Sequence, residues 1–404
     1  MNDKATRVRV GGPLAPHADG FRMVLVERGY APSSAAGQLQ VMAHLSRWLA
    51  DRGLDGHELT PAVVEQFLQA RRAAGYGEWF SVRGIRPLLD HLRAVGIAPV
   101  PAPVPPDGPA EVLLAAYRAY LVEERGLAPS TVRNYLDVAR PFVSAYCASA
   151  CPAPGLAGLS AAQVSEFVLA GCRTRRGGSV AVLVVGMRAL LRYLHLAGIT
   201  PTALAGAVPS AACWATSTLS QPVDHRQAVR LLRCCDRRTA AGRRDFAVLT
   251  LLLRLGLRVS EVAALQLNDV DWRHGEILVR GKGRRVERLP LPADVGEVVA
   301  GWLVRGRPRC RCTSVFTTMR APRTQLTGDG VSAIVTRAAH RSGVVASAHR
   351  LRHTTATELL RSGAGLPEVG QVLRHASMRN TATYVKVDHA ALSAVARPWP
   401  AGAR

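Results

Sequence analysis

Apolar side chains recur at helical spacing through most of the chain. Val41, Leu45, Trp48 and Leu49 fall on one face of a 3.6-residue period, and so do Leu136, Ala139, Phe142 and Val143. Ser33 and Ser130 each follow a proline and precede such a run, as N-caps should; Thr60 and Ser160 read the same way for a later helix. These neighbourhoods also echo one another. Arg28-Gly-Tyr-Ala-Pro32 returns as Arg125-Gly-Leu-Ala-Pro129, Leu59 to Phe67 as Leu159 to Phe167, and Ile85-Arg-Pro-Leu-Leu as Met187-Arg-Ala-Leu-Leu, at offsets of 97 to 102 residues. A repeat at so steady an offset predicts one small unit of about four helices, duplicated in tandem. Between the copies, the eleven residues from Pro99 to Pro109 include six prolines, which predicts an extended linker.

Further on the pattern changes. Residues 245–255 are apolar almost all round, as in a buried central helix, and Gly256 is placed to end it. The next helix opens at Arg258, with Ser260 and Glu261 supplying a polar, acidic first turn. Three short β-rich runs follow, at 270–272, 276–280 and 286–291, the last two joined by Gly281-Lys282-Gly283-Arg284-Arg285. A three-stranded meander is the simplest assembly. The expected architecture is therefore mainly α with a small β-meander. It divides into a helical unit at 1–98, the Pro-rich linker at 99–109, a second helical unit at 110–205, an Ala/Ser/Thr-rich linker at 206–222 and a mixed α/β domain at 223–404.

Composition adds a partner. The formal net charge is +23, and it is uneven: 12 basic against 9 acidic residues in 1–100, 9 against 6 in 101–205, and 31 against 14 in 206–404. A field concentrated in the last half points to a polyanion, nucleic acid before membrane, since no strongly amphipathic basic anchor stands out. Apolar stretches such as 180–187 and 246–253 are too short to span a bilayer, and the first 17 residues lack the apolar core of a secretion signal. A cytoplasmic location is expected. The eight cysteines, at 147, 151, 172, 213, 234, 235, 310 and 312, do not form paired C-x2-C knuckles, so reduced thiols are expected rather than a zinc site.

The chemistry gathers late in the chain. His349 and Arg352, three apart among good helix formers, project from one face of one helix. His375 and Tyr384 stand nine apart across a loop-like Ser-Met-Arg-Asn step that lets the phenol reach back. Of the 52 basic residues only Lys4, Lys282 and Lys386 are lysines. A lysine at a glycine-flanked hairpin tip suggests that a transferable proton is needed there, because a guanidinium does not deprotonate. Arg258, Lys282, His349, Arg352, His375 and Tyr384 together suit a phosphodiester. Two arginines clamp the non-bridging oxygens, a tyrosine attacks phosphorus, Lys282 protonates the departing sugar oxygen and the histidines assist proton movement. No metal or other cofactor is called for.

These boxes resemble those of the tyrosine recombinases, the phage integrase family. Leu255-Gly-Leu-Arg258-Val-Ser-Glu-Val matches the box of the first arginine, Gly281-Lys282-Gly283 the hairpin lysine, and His349-Arg-Leu-Arg352 the His-x-x-Arg box; Leu373-Arg-His375 and Thr381-Ala-Thr-Tyr384 match the last histidine and the nucleophile. The resemblance covers about residues 215–390. It implies a site-specific recombinase that cuts and rejoins double-stranded DNA through a 3′-phosphotyrosyl intermediate, serves a mobile element and works as a tetramer through a Holliday junction, with accessory recombinases as further candidate partners. It also implies that 110–205 is the core-binding SAM-like unit that closes round DNA, 1–98 being an extra copy. Arg374 departs from the family pattern, which commonly has glycine before the last histidine. The tail after Tyr384, with its apolar stripe Leu392, Val395 and Trp399, is expected to dock on a neighbouring protomer. The competing readings are a type IB topoisomerase-like enzyme and a non-catalytic DNA-binding accessory protein.

Overall fold

The computed structural model describes residues 8–102, 106–147, 155–175, 178–210, 222–281 and 285–374. Lys282, His375, Tyr384 and the tail lie outside the described residues, as do Cys151 and Cys213; the six described cysteines are free thiols. The chain divides into two compact units, Met1–Pro101 with Leu219–Arg404, and Ala102–Thr218.

The first unit opens with four helices, α1 (Ala18–Glu27), α2 (Pro32–Ala50), α3 (Pro61–Ala73) and α4 (Val82–Ala94). Their apolar faces meet in a core of Phe21, Leu39, Met42, Leu45, Phe67 and Leu88 among others. The second unit also carries four: α5 (Gly108–Ala119), α6 (Pro129–Cys147), α7 (Ala161–Arg173) and α8 (Gly178–Leu196), around Tyr117, Phe142, Val164 and Leu190. Thr60 and Ser160 cap α3 and α7 as expected, their hydroxyls accepting from the N–H groups of Val63 and Gln163. Ser33 and Ser130 do not cap. α2 and α6 begin at Pro32 and Pro129, because a proline's fixed φ suits the first helical position and its missing N–H costs nothing there. Residues 179–196 of α8 are long and apolar enough by composition to cross a membrane, although Arg188, Arg192 and His195 interrupt the run. The helix buries Leu183, Met187, Leu190, Leu191 and Leu194 in its own unit, which is how a core helix behaves.

The rest of the first unit is built on α10 (Ala240–Arg254), preceded by α9 (His225–Arg233). Every residue from Ala247 to Leu253 is buried, so the second half of α10 is the expected central helix, apolar almost all round. After α11 (Val259–Ala264), strands β1 (Val270–Asp271), β2 (Glu276–Arg280) and β3 (Val286–Pro290) form the expected antiparallel meander in the order β1-β2-β3, with Ile277 paired to both Val270 and Leu289. The pleat alternation turns Ile277 and Val279 into the core. Helix α12 (Ala293–Arg305) packs on α10 and buries Trp302, whose indole N–H donates to the carbonyl of Val315 at 2.9 Å. Helices α13 (Gly328–Ser342), α14 (Ala348–Arg361) and α15 (Leu366–Val372) complete the described part. The same unit includes a contact between α1 and the segment before α13: Arg323 N–H donates to the Arg28 carbonyl at 3.0 Å, and Arg311 pairs with Glu27 at 2.8 Å.

Candidate active site

Three segments far apart in sequence converge here, and a glycine makes the approach feasible. Gly256 follows α10 at φ +55, and a Cβ on it would lie 2.7 Å from Leu373 Cδ2. Only glycine meets both demands without strain. The turn it makes delivers Arg258 to the N-cap position of α11, the helix mouth expected from the sequence.

Arg258 is held by Glu261. Its backbone N–H donates to Oε2 at 2.8 Å, and its guanidinium pairs with Oε1. Its Nη2 also donates to the backbone carbonyl of Arg374 at 2.9 Å. The Glu261 side chain is 1% exposed, so its charge needs partners. Burial alone would push its carboxyl up, but the charge of Arg374, with the hydrogen bonds and charge of Arg258, reverses this and holds it below the ordinary carboxylate value. The two guanidiniums thus favour the anionic form of Glu261.

Arg352 comes from α14, whose first turn is capped by Ser347, its hydroxyl accepting from the Arg350 N–H at 3.3 Å. Arg352 is buried and donates from one Nη to the Gly256 carbonyl and from the other to the Leu373 carbonyl. Both arginines therefore anchor on one knot of backbone made by Gly256, Leu373 and Arg374. His349 lies one turn before Arg352 on α14, as the three-residue spacing requires. Gly281, the residue before Lys282, is near as well, since a Cβ on it would lie 3.8 Å from Glu261 Oε1. Of the six expected residues, then, Arg258 and Arg352 meet at one backbone knot, His349 shares α14 with Arg352, and Lys282, His375 and Tyr384 are outside the described residues. Among the described residues no cluster of three or more His, Cys, Asp or Glu could hold a metal ion.

Two site residues escaped the sequence reading. Glu261 was legible only as a helix-start residue, although its place three after Arg258 is the spacing of a side chain that reaches back to an N-cap. His353 stands four after His349, and the two Nε2 atoms are 2.7 Å apart. One ring must donate its N–H to the other's lone pair, so the pair does not hold a proton on both facing nitrogens. Desolvation, then His349 and Arg352, pull His353 down to about 4, and desolvation followed by Arg352 lowers His349. A folded-state pKa below the unfolded value means that acid favours the unfolded chain. The contribution is fully present above about pH 6.5 and drains away as pH falls towards 4. His353→Gln should therefore lose less melting temperature than the parent between pH 7.5 and pH 5. Parallel losses in thermal denaturation would refute this.

A model of the phage integrase family matches residues 221–391. The chain is 36% identical over 402 residues to y4rA of Sinorhizobium fredii, an inferred integrase/recombinase, covering 97% of this chain and 96% of that one. To the tyrosine recombinase XerD of Mycobacterium tuberculosis it is 30% identical over 301 residues, covering 70% of this chain and 95% of the relative. Among solved structures, the XerH site-specific recombinase bound to palindromic difH substrate in a post-cleavage complex superposes with a TM-score of 0.57 at 17% identity, over 83% of this chain and 94% of the other. With its arginine boxes folded onto one backbone knot and a relative matched along nearly its whole length, the chain belongs to the phage integrase family of tyrosine recombinases.

Proposed function

We propose that this chain, a site-specific DNA recombinase by family, breaks and rejoins double-stranded DNA through a 3′-phosphotyrosyl bond to Tyr384. The observation that carries the reading is the convergence of Arg258 and Arg352 on the carbonyls of Gly256, Leu373 and Arg374. Two guanidiniums held that close supply fixed positive charge where a pentacoordinate phosphorane gathers negative charge. Tyr384 Oη attacks phosphorus, the bond from phosphorus to the 5′ oxygen breaks, and Lys282 gives that oxygen its proton. His349 and His375 take part in moving the phenol proton and in hydrogen-bonding the phosphate. The phosphotyrosyl ester keeps the energy of the broken bond, so the 5′-hydroxyl can attack in return without ATP.

The finer organisation belongs to the same proposal. Residues 1–98 and 110–205 are tandem SAM-like units, the second the core-binding unit and the first an extra copy, a reading supported by the repeated sequence and the four helices in each. The domain limits expected from the sequence, with linkers at 99–109 and 206–222 and a catalytic domain at 223–404, are retained. The enzyme acts in the cytoplasm for a mobile element, as a tetramer on DNA, with accessory recombinases as partners.

The test uses nicked suicide substrates taken from the DNA flanking the gene, in EDTA, with denaturing electrophoresis as the readout. A protein–DNA adduct that survives denaturation is the expected product. No adduct on any such site would favour the accessory-protein reading, and relaxation of a plasmid without the site would favour a topoisomerase. Lys282→Ala should slow adduct formation far more than it weakens binding. Equal losses would make Lys282 a phosphate contact only.

A further inference from the structure

The Arg374 backbone is part of the knot that anchors both site arginines, yet nothing in the phosphodiester chemistry above uses its side chain. It is one of two described non-glycine residues with positive φ, at +55, a conformation that side-chain-bearing residues rarely adopt. The guanidinium is buried with it, the side chain being 3% exposed. Nη2 donates to Glu261 Oε2 at 2.8 Å and lies 3.4 Å from the Gly256 carbonyl oxygen, while Nη1 donates to the Val372 carbonyl at 2.8 Å. Its Nε has no partner among the described residues.

We propose that Arg374 is a positioning residue whose buried guanidinium offsets the Glu261 carboxylate and so leaves the charge of Arg258 available to a DNA phosphate. The proposal rests on the recombinase reading of Arg258. Charge counting gives the reason. Glu261 with Arg258 alone is a neutral pair, in which the carboxylate competes with any phosphate for the same donors. With Arg374 on the other side of that carboxylate, the trio is a net cation, and the carboxylate's charge is shared between two guanidiniums. The arrangement also explains why a large residue stands at positive φ: the backbone carbonyl of Arg374 takes one Arg258 N–H while its side chain takes the oxygen of Arg258's own partner. A glycine here would keep the first contact and lose the second.

That difference sets the experiment. Arg374→Gly removes the guanidinium and suits the backbone, so its fold is not put at risk by strain. On a saturating suicide substrate, the single-turnover rate of adduct formation should fall about 10- to 100-fold, with the apparent Kd changed far less. Guanidinium ion, added well below denaturing concentrations, should restore part of the rate in Arg374→Gly and none in the parent. Glu261→Gln in the Arg374→Gly background should also be faster than Arg374→Gly alone, since it removes the carboxylate left unbalanced. A purely structural Arg374 would shift the melting temperature and show neither recovery. Arg374→Gly cleaving at the parent rate, or a rate loss that neither recovery relieves, overturns the proposal. A parent protein that forms no adduct at all sinks the recombinase reading first and this proposal with it, an outcome distinct from the other two.

Discussion

Arg352→Lys should lower the single-turnover cleavage rate by about 10²- to 10³-fold, the usual effect of losing one preorganised donor to a developing oxyanion. The charge is conserved, so the loss isolates geometry. Arg352 is 6% exposed and reaches two carbonyls, of Gly256 and Leu373, from two different nitrogens. An ammonium on a flexible stem does not reproduce that fork. One carbonyl is left without its charge-assisted donor, and the cation swings within the space the guanidinium filled. Unfolding should register the same event, with a loss of about 1.5–3 kcal/mol for a hydrogen bond to a charged group. DNA affinity should change much less, because much of it comes from the many cationic groups that contact the backbone. Chemical denaturation, equilibrium binding and single-turnover cleavage on the same preparation separate the three. Cleavage within tenfold of the parent rate would mean that Arg352 holds the turn together without touching the reaction.

The parts of this site that were legible in the sequence are those set by local rules. Periodicity places His349 and Arg352 on one helix, turn chemistry ends α10 at Gly256, and β-rich runs with a glycine-flanked tip give the meander. Local rules misplaced the starts of α2 and α6 by two residues, because proline at the first helical position competes with serine at the cap and wins. What sequence spacing does not carry is the tertiary closure. Arg374 reads only as a departure from a family pattern, and its meeting with Glu261 spans 113 residues of chain. Nor does spacing say that the first helical segment groups with residues 219–404 while the nearer one forms a unit of its own. That grouping includes surface pairs such as Glu27 with Arg311, each unremarkable alone in a chain with 52 basic residues.

Tyr384→Phe should abolish the covalent adduct while leaving DNA binding intact, and this is the largest effect expected of any single substitution. The phenyl ring differs from the phenol by one oxygen, so the substitution deletes only the atom proposed as the nucleophile. Arg258 and Arg352 would still hold positive charge at the site, but without Oη no bond forms to phosphorus and the 5′ oxygen has no reason to leave. Water is a poor substitute, because the proton-moving histidines of the proposed chemistry serve a phenol tethered to the chain, whereas a water molecule has to be held in line with phosphorus by contacts the proposed chemistry does not include. The family's economy depends on the same point: a stable aryl ester is an intermediate only if its oxygen belongs to the protein, and hydrolysis would break DNA instead of recombining it. The variant should therefore show no nicking as well as no adduct, by gel analysis of end-labelled suicide substrate. An adduct that persists moves the nucleophile to another side chain, and nicking without an adduct would replace strand transfer by hydrolysis; either result removes Tyr384 from the centre of the mechanism.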